Sequence, residues 1–283
     1  MKYSLIFTLF ISTLFTKEFR VITNEYNHGL GMFGAANQVL SQLYLFEARL
    51  LPTVSGITVD LKKNGLYYDP SYGPNWWTYY FEPICVGSAK NATIVYPTSE
   101  QYTDALVKRR RITRKAAAQI VKKHIHIKPH IQEKIDAFIS QFFLGRYVIG
   151  IHYRGTDKCK EAPRVAYKTI FEEINKRIPQ EKLYALFIAT DEVEFLEQAQ
   201  EKYPNQVIAT ESHRANNGNI GVHFSNKNNY ILGEEALIDA YLLSKCDVLI
   251  RTSSNLSLWS TYFNPDLPVI LLSQRFMKTL EPE

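Results

Sequence analysis

The chain has 283 residues, 46% hydrophobic and 22% charged, proportions that exclude disorder, collagen and coiled coil as the main architecture. Cys85, Cys159 and Cys246 lie far apart and form no Cys-x-x-Cys pair, so neither a disulfide scaffold nor a zinc ribbon is expected. The formal net charge of +5 suits an anionic ligand without demanding nucleic acid.

Met1 and Lys2 precede an apolar run from Tyr3 to Phe15, followed by Thr16 and Lys17. A charged start and a run shorter than the roughly 20 residues of a membrane span fit the core of a signal peptide. Residues 1–17 are therefore read as a signal-like segment. It places the protein in the secretory or exported compartment, or holds it at a membrane; a buried first element of the fold is the alternative. Residues 19–24 read as a strand, Asn27 to Gly34 as a glycine-rich loop, and about 35–48 as a helix with Val39, Leu43 and Phe46 on one face. Strand, glycine loop and helix open an α/β domain. Residues 50–101 are aromatic and irregular, and the cluster from Trp76 to Pro83 reads as core ahead of a sugar-stacking wall. A basic helix is expected over 102–123, with Lys108 to Arg111 on a solvated face. His124, His126 and His130 lie close together, but Pro129 and the lack of a fourth ligand speak against zinc. A second helix, 130–143, leads to Gly145.

From there strands are expected over 147–153, 184–189, 206–210, 247–251 and 268–272. Helices are expected over 165–178, from Thr190-Asp191-Glu192 to about 202, and over 233–245 and 256–263. Apolar strands alternating with helices predict a parallel sheet covered on both faces. The chain divides into an N-terminal α/β domain, 18–144, and a Rossmann-like C-terminal domain, 145–283. The polar loops 154–164, 190–192 and 252–255 follow strand ends and should converge on one crevice.

Two strings in those loops carry chemistry. In Ile151 to Lys158, alternation puts His152 and Arg154 on one face at the strand end. Arg154 and Lys158 supply two cations suited to a diphosphate, with Asp157 able to hold one of them in place. A structural ion network is the competing reading. Arg251-Thr252-Ser253-Ser254-Asn255 directly precedes a helix, where backbone N–H groups and hydroxyls bind phosphate or simply cap the helix. Asn255 begins an Asn-Leu-Ser sequon but is read as a ligand-site residue. The sequence has no Walker A string and no Asp-x-Asp. A sugar nucleotide bound here would need cationic side chains and helix ends, without a metal, to neutralise its leaving group.

His152-Tyr-Arg154-Gly-Thr156-Asp157-Lys158 resembles the His-x-Arg-Arg-Thr-Asp-Lys motif of the α-1,6-fucosyltransferases. Their superfamily includes the nodulation fucosyltransferases and the protein O-fucosyltransferases. The similarity continues through Ala189 to Glu192, Glu197 to Pro204, Ile238 to Asp247 and Thr252 to Ser254, over roughly 146–262. N-terminally only the loop from Gly29 through Gly31 to Gly34 looks similar. The resemblance implies a GT-B fold of two Rossmann-like domains, GDP-fucose as donor, inversion at the anomeric carbon and no metal. It implies that Arg154 binds the β-phosphate, His152 and Asp239 contact the nucleoside, and Ser253 and Ser254 donate to the diphosphate. Lys158 and Asp191 would lie near donor or acceptor.

Inversion requires a base on the acceptor hydroxyl. Glu161 falls close to a glutamate of the α-1,6 enzymes, one residue earlier, and is the first candidate. Asp191 and Glu25 are reserves, and a solvated loop carboxylate is the plain alternative for Glu161. Gly155 replaces the second arginine of the motif, so its contact must come from elsewhere, with Arg251 or Arg164 in reach. The expected activity is fucose transfer to a hydroxyl of a glycan or glycoprotein. The alternatives are transfer from another GDP-sugar, or a non-catalytic glycan- or nucleotide-binding relative.

Overall fold

The computed structural model describes residues 16–23, 31–62, 66–98, 112–155, 163–215 and 229–273. The first half contains β1 (Lys17–Ile22), α1 (Met32–Glu47), β2 (Val54–Val59), α2 (Trp77–Tyr80), β3 (Cys85–Gly87) and β4 (Ala92–Val95). Its sheet has the order β3-β2-β1-β4. β1 runs parallel to β2 and β4, whereas β3 is antiparallel to β2. Two connecting helices follow, α3 (Arg114–His124) and α4 (Pro129–Phe142).

The second half alternates β5 (Tyr147–Tyr153), α5 (Tyr167–Asn175), β6 (Tyr184–Thr190), α6 (Val193–Lys202), β7 (Val207–Ile208), α7 (Asn229–Ser244), β8 (Val248–Arg251), α8 (Asn255–Phe263) and β9 (Val269–Leu271). β5 and β6 are buried at every position after the first, as expected of interior parallel strands covered on both faces. The sheet order is β7-β6-β5-β8-β9, with every pairing parallel. The chain adds strands outward from β5 on one side, then returns to build β8 and β9 on the other. The winding reverses between β5 and β8, and a crevice opens at their carboxyl ends.

One face of this sheet, with Ile149, Ile151, Leu186 and Ile188, packs on Ile170, Phe171 and Ile174 of α5 and Phe195 of α6. The other face belongs to a core that runs without interruption into the first half. Val148 and Phe187 share it with Leu237, Leu242 and Trp259 of α7 and α8, and with Met32, Val39 and Leu43 of α1. Trp259 donates to Asn37 of α1 at 2.7 Å, and the Tyr80 hydroxyl donates to the Tyr230 carbonyl at 2.9 Å. Gly233 makes that approach possible, since a Cβ there would lie 2.3 Å from the Tyr80 hydroxyl. α4 precedes residue 145 but belongs to the second sheet by packing: Phe138 and Phe143 stand edge-on to Phe187, at 5.7 and 5.5 Å.

Several expectations change. Residues 50–101 are not irregular, for they contain three strands and α2. Two of those strands are only three and four residues long and half exposed, so no alternation reveals them. β1 starts at Lys17, inside the segment read as signal-like; residues 1–15 lie outside the described residues. So do Lys108 to Arg111, Cys159 and Glu25. Trp76, Trp77, Tyr79, Tyr80 and Phe81 are all buried, so the aromatic cluster is core. Among the described residues no helix is long and apolar enough to cross a membrane.

Candidate functional site

The winding reversal places the ends of β5 and β8 side by side, with His152 opposite Arg251 in register. Hydrogen bonds extend the pairing past the ladder. Thr252 N–H donates to the His152 carbonyl at 3.0 Å, and Arg154 N–H donates to the Thr252 hydroxyl at 3.0 Å. The Arg154 backbone is thus fastened to the β8 loop. Its side chain forms an ion pair with the loop after β6, where Arg154 Nε lies 3.1 Å from Asp191 Oδ2. Asp191 Oδ1 accepts from Gly155 N–H at 3.1 Å. A guanidinium held at one edge by a buried carboxylate keeps its direction without reorganisation.

The segment after β8 caps a helix. Ser254 is the N-cap of α8 and accepts from Leu256 N–H at 3.3 Å. Ordinary capping, weighed against phosphate binding from sequence, is thus present, and the positive end of the helix dipole still faces the crevice. Ser253 N–H donates to the Ser273 hydroxyl at 3.1 Å. Asn255 is the first helical residue, half buried. Arg251 does not face the crevice as a spare cation. It is 2% exposed and donates to the Ser257 hydroxyl at 3.2 Å and the Ser254 carbonyl at 3.5 Å, bracing the start of α8 from beneath. Arg164 is also committed, to Glu192 at 3.0 Å.

Asp239 projects from α7 and is 6% exposed. Its carboxylate accepts from Thr210 at 2.6 Å and Ser212 at 3.3 Å. Burial pushes it up to about 6, against the pull of those hydroxyls and of Arg214. Arg214 in turn ties down the segment after β7 by donating to the Thr210 and Ser212 carbonyls, both at 2.9 Å.

The first half reaches the crevice through Gly31, which caps the N-terminus of α1. The Tyr67 hydroxyl lies 3.7 Å from where a Gly31 Cβ would be. Burial raises the Tyr67 phenol, and the Met32 N–H and the Arg154 charge oppose that rise. Tyr67 therefore lies beside the start of α1, within the influence of the Arg154 charge. It carries no motif, and sequence reasoning passed over it, as it did Thr210, Ser212 and the partner role of Glu192. Their signal was only position, just after a strand end.

His152, Arg154, Asp191, Thr252, Ser253 and Ser254 are brought together, and Asp239 lies beside the segment after β7. Thr156, Asp157, Lys158, Glu161 and Gly29 lie outside the described residues. The three histidines do not converge: His124 pairs with Glu47 at 2.7 Å, while His130 meets the Tyr230 hydroxyl at 3.0 Å. Among the described residues no group of three or more His, Cys, Asp or Glu side chains could hold a metal ion.

Two parallel-rich α/β halves sharing a crevice, with an oriented arginine and a helix N-terminus at the switch point, define the GT-B class of fold. The family model for Nodulation protein Z (NodZ) matches residues 110–271, which takes in α3 through β9. The chain belongs to that family. It is 31% identical over 143 residues to Nodulation protein Z of Sinorhizobium fredii, covering 44% of this chain and 42% of the relative. The chain thus spans less than half the length of that relative. Among solved structures it is similar to fucosyltransferase NodZ from Bradyrhizobium, at 19% identity and a TM-score of 0.59, with 92% of this chain and 99% of that one covered. It is also similar to a NodZ alpha-1,6-fucosyltransferase co-crystallized with GDP, at 19% identity and a TM-score of 0.58, covering 90% and 95%.

Proposed function

We propose that the chain is a metal-independent, inverting glycosyltransferase that moves fucose from GDP-fucose to a hydroxyl of a glycan or glycoprotein. The observation that carries this reading is the Arg154–Asp191 pair at the switch point, beside the N-terminus of α8, in a member of the NodZ family. In this reading the β-phosphate lies against Arg154 and the α8 N-terminus, with Ser253 and Ser254 beside it. The charge that develops on GDP as the glycosidic bond breaks is met by a guanidinium already aimed at it, and by helix-end N–H groups. His152 and Asp239 hold the nucleoside, where a carboxylate accepts from ring and exocyclic N–H groups. Thr252, Asn255, Gly29 and Gly31 complete the binding surface, Lys158 adds positive charge near the phosphates, and Asp157 holds one of the cations in place.

The acceptor proton needs a base opposite GDP. Glu161 keeps that role in the proposal. Asp191 is engaged by Arg154 and by Gly155 N–H, which favours an orienting role over proton abstraction. An exported or membrane-associated location, from residues 1–17, is a further part of the proposal that fractionation of the tagged full chain tests.

The deciding experiment is calorimetric titration with GDP, GDP-fucose, GDP-mannose and UDP in EDTA. Micromolar binding of GDP and GDP-fucose, lost in Arg154→Ala, is the expected result. No nucleotide binding by folded protein would remove the donor-site reading. Equal binding of GDP-mannose, followed by mannose transfer, would reassign the sugar.

A further inference from the structure

We propose that Arg164 is a positioning residue for Arg154, acting through a closed ring of contacts around Gly155. The inference rests on the reading of Arg154 as the diphosphate contact.

The ring is built from four residues. Gly155 N–H donates to Asp191. Asp191 is joined by the chain to Glu192, which is 3% exposed. Glu192 Oε2 accepts from Arg164 Nη2 at 3.0 Å and from the Tyr167 hydroxyl at 2.6 Å. Arg164 Nη1 returns to the Gly155 carbonyl at 3.4 Å. Both polar ends of Gly155 are thereby held, the N–H by Asp191 and the carbonyl by Arg164. Arg154 is the residue before it, and its guanidinium shares the same Asp191.

The side chains explain why this ring needs glycine. A Cβ on residue 155 would lie 2.2 Å from Glu192 Oε1 and 2.4 Å from its carboxyl carbon. Glu192 fills the space a side chain would take. Its Oε1 is buried and, among the described residues, accepts no hydrogen bond. Arg164 is the cation paired with it among the described residues. A buried carboxylate that loses its cation moves toward water or toward another donor. Either response shifts residues 191 and 192 together, and Asp191 carries the shift to Arg154. Backbone bonds on the other side limit where the strain can go: Ala215 N–H donates to the Asp191 carbonyl at 2.8 Å, and Val193 N–H to the Ala215 carbonyl at 3.3 Å.

The test reads the preference for GDP over GMP, which isolates the β-phosphate contact from guanosine recognition. It uses the full chain, calorimetry and thermal melting, with Arg164→Met, Arg164→Lys, Glu192→Gln and Arg154→Ala. Arg164→Met is expected to reduce the preference about tenfold, the value of one charge-assisted contact, while GMP affinity stays within twofold (roughly the scatter of a neutral surface change). Arg164→Lys keeps the charge and should recover part of the preference. Methylguanidine added to Arg164→Met should recover it too, since the Arg164 side chain is 46% exposed and its place is open to solvent. A residue that served stability alone would lower the melting temperature and leave the GDP-over-GMP ratio at the wild-type value, which overturns the proposal. If Arg164→Met does not fold, Glu192→Gln decides: an unchanged ratio there overturns the proposal equally. Failure of the underlying reading looks different, because wild type would then show no preference for GDP over GMP, or Arg154→Ala would retain it.

Discussion

Replacing Asp239 with asparagine is expected to stabilise the protein and, under the proposed function, to weaken its binding of guanosine nucleotides. Burial pushes this carboxyl from its ordinary 3.8 up to about 6, so the folded chain holds the proton more tightly than the unfolded chain does. Between those two values folding takes up a proton, and stability falls as the pH rises through the window. Above it the ionised carboxylate costs the fold about (6 − 3.8) × 1.36, or about 3 kcal/mol. Asparagine has the same shape, carries no charge, and still accepts from Thr210. At pH 7.5 the variant should gain up to about 3 kcal/mol, raising the melting temperature by roughly 6–12 °C at about 2–4 °C per kcal/mol. At pH 4.5 most of the cost is already absent, and the gain should shrink to about 1 kcal/mol. GDP affinity should fall at least tenfold, because an amide cannot accept two N–H donors from one base edge. Circular-dichroism melts at both pH values, with GDP titrations beside them, check the argument. A variant no more stable than its parent at pH 7.5, or equally stabilised at both pH values, would refute the reasoning.

Arg154→Ala should reduce turnover of GDP-fucose by about 10²–10³ in steady-state assays, and Arg154→Lys should fail as well, because the proposed diphosphate contact uses the guanidinium fork. Gly233→Ala drives a methyl group into the Tyr80 hydroxyl and should cost about 1–3 kcal/mol in denaturant unfolding. Trp259→Phe removes the 2.7 Å bond to Asn37 and should cost about 1 kcal/mol by the same measurement. GDP affinity should be the same with and without EDTA, since no step assigned to these side chains needs a divalent ion.

The second half was legible because its signals are redundant. Tyr147–Tyr153 reads as a strand from its composition alone, and the structure returns those bounds. The polar strings after β5, β6 and β8 point to one edge once the sheet is known to be parallel. The first half offered less: β3 and β4 are too short to show a period, and the first half's sheet is mixed, so alternation with helices did not announce it. Within the site, residue types were readable and their partners were not. Arg251 and Arg164 looked interchangeable as spare cations, yet one braces the α8 start and the other neutralises Glu192. Sequence places charges near one another without saying which pairs close. Tyr67 shows the same limit, for a tyrosine in an aromatic stretch is ordinary core until its hydroxyl is seen beside Gly31.

The apolar mass that joins Met32 and Val39 to Trp259 and Phe187 makes the two halves one cooperative unit. In many two-domain proteins a polar seam lets each lobe breathe by itself. Here the seam is the middle of the core, with an indole bonded across it and a glycine cut to fit a phenol. Prying the lobes apart would wet α1, α7 and α8 together, so under the proposed function donor and acceptor would have to enter while the lobes stay locked. For the same reason the second half cut free at residue 145 would carry the faces of α7 and α8 into water, an exposed patch of the kind that drives aggregation.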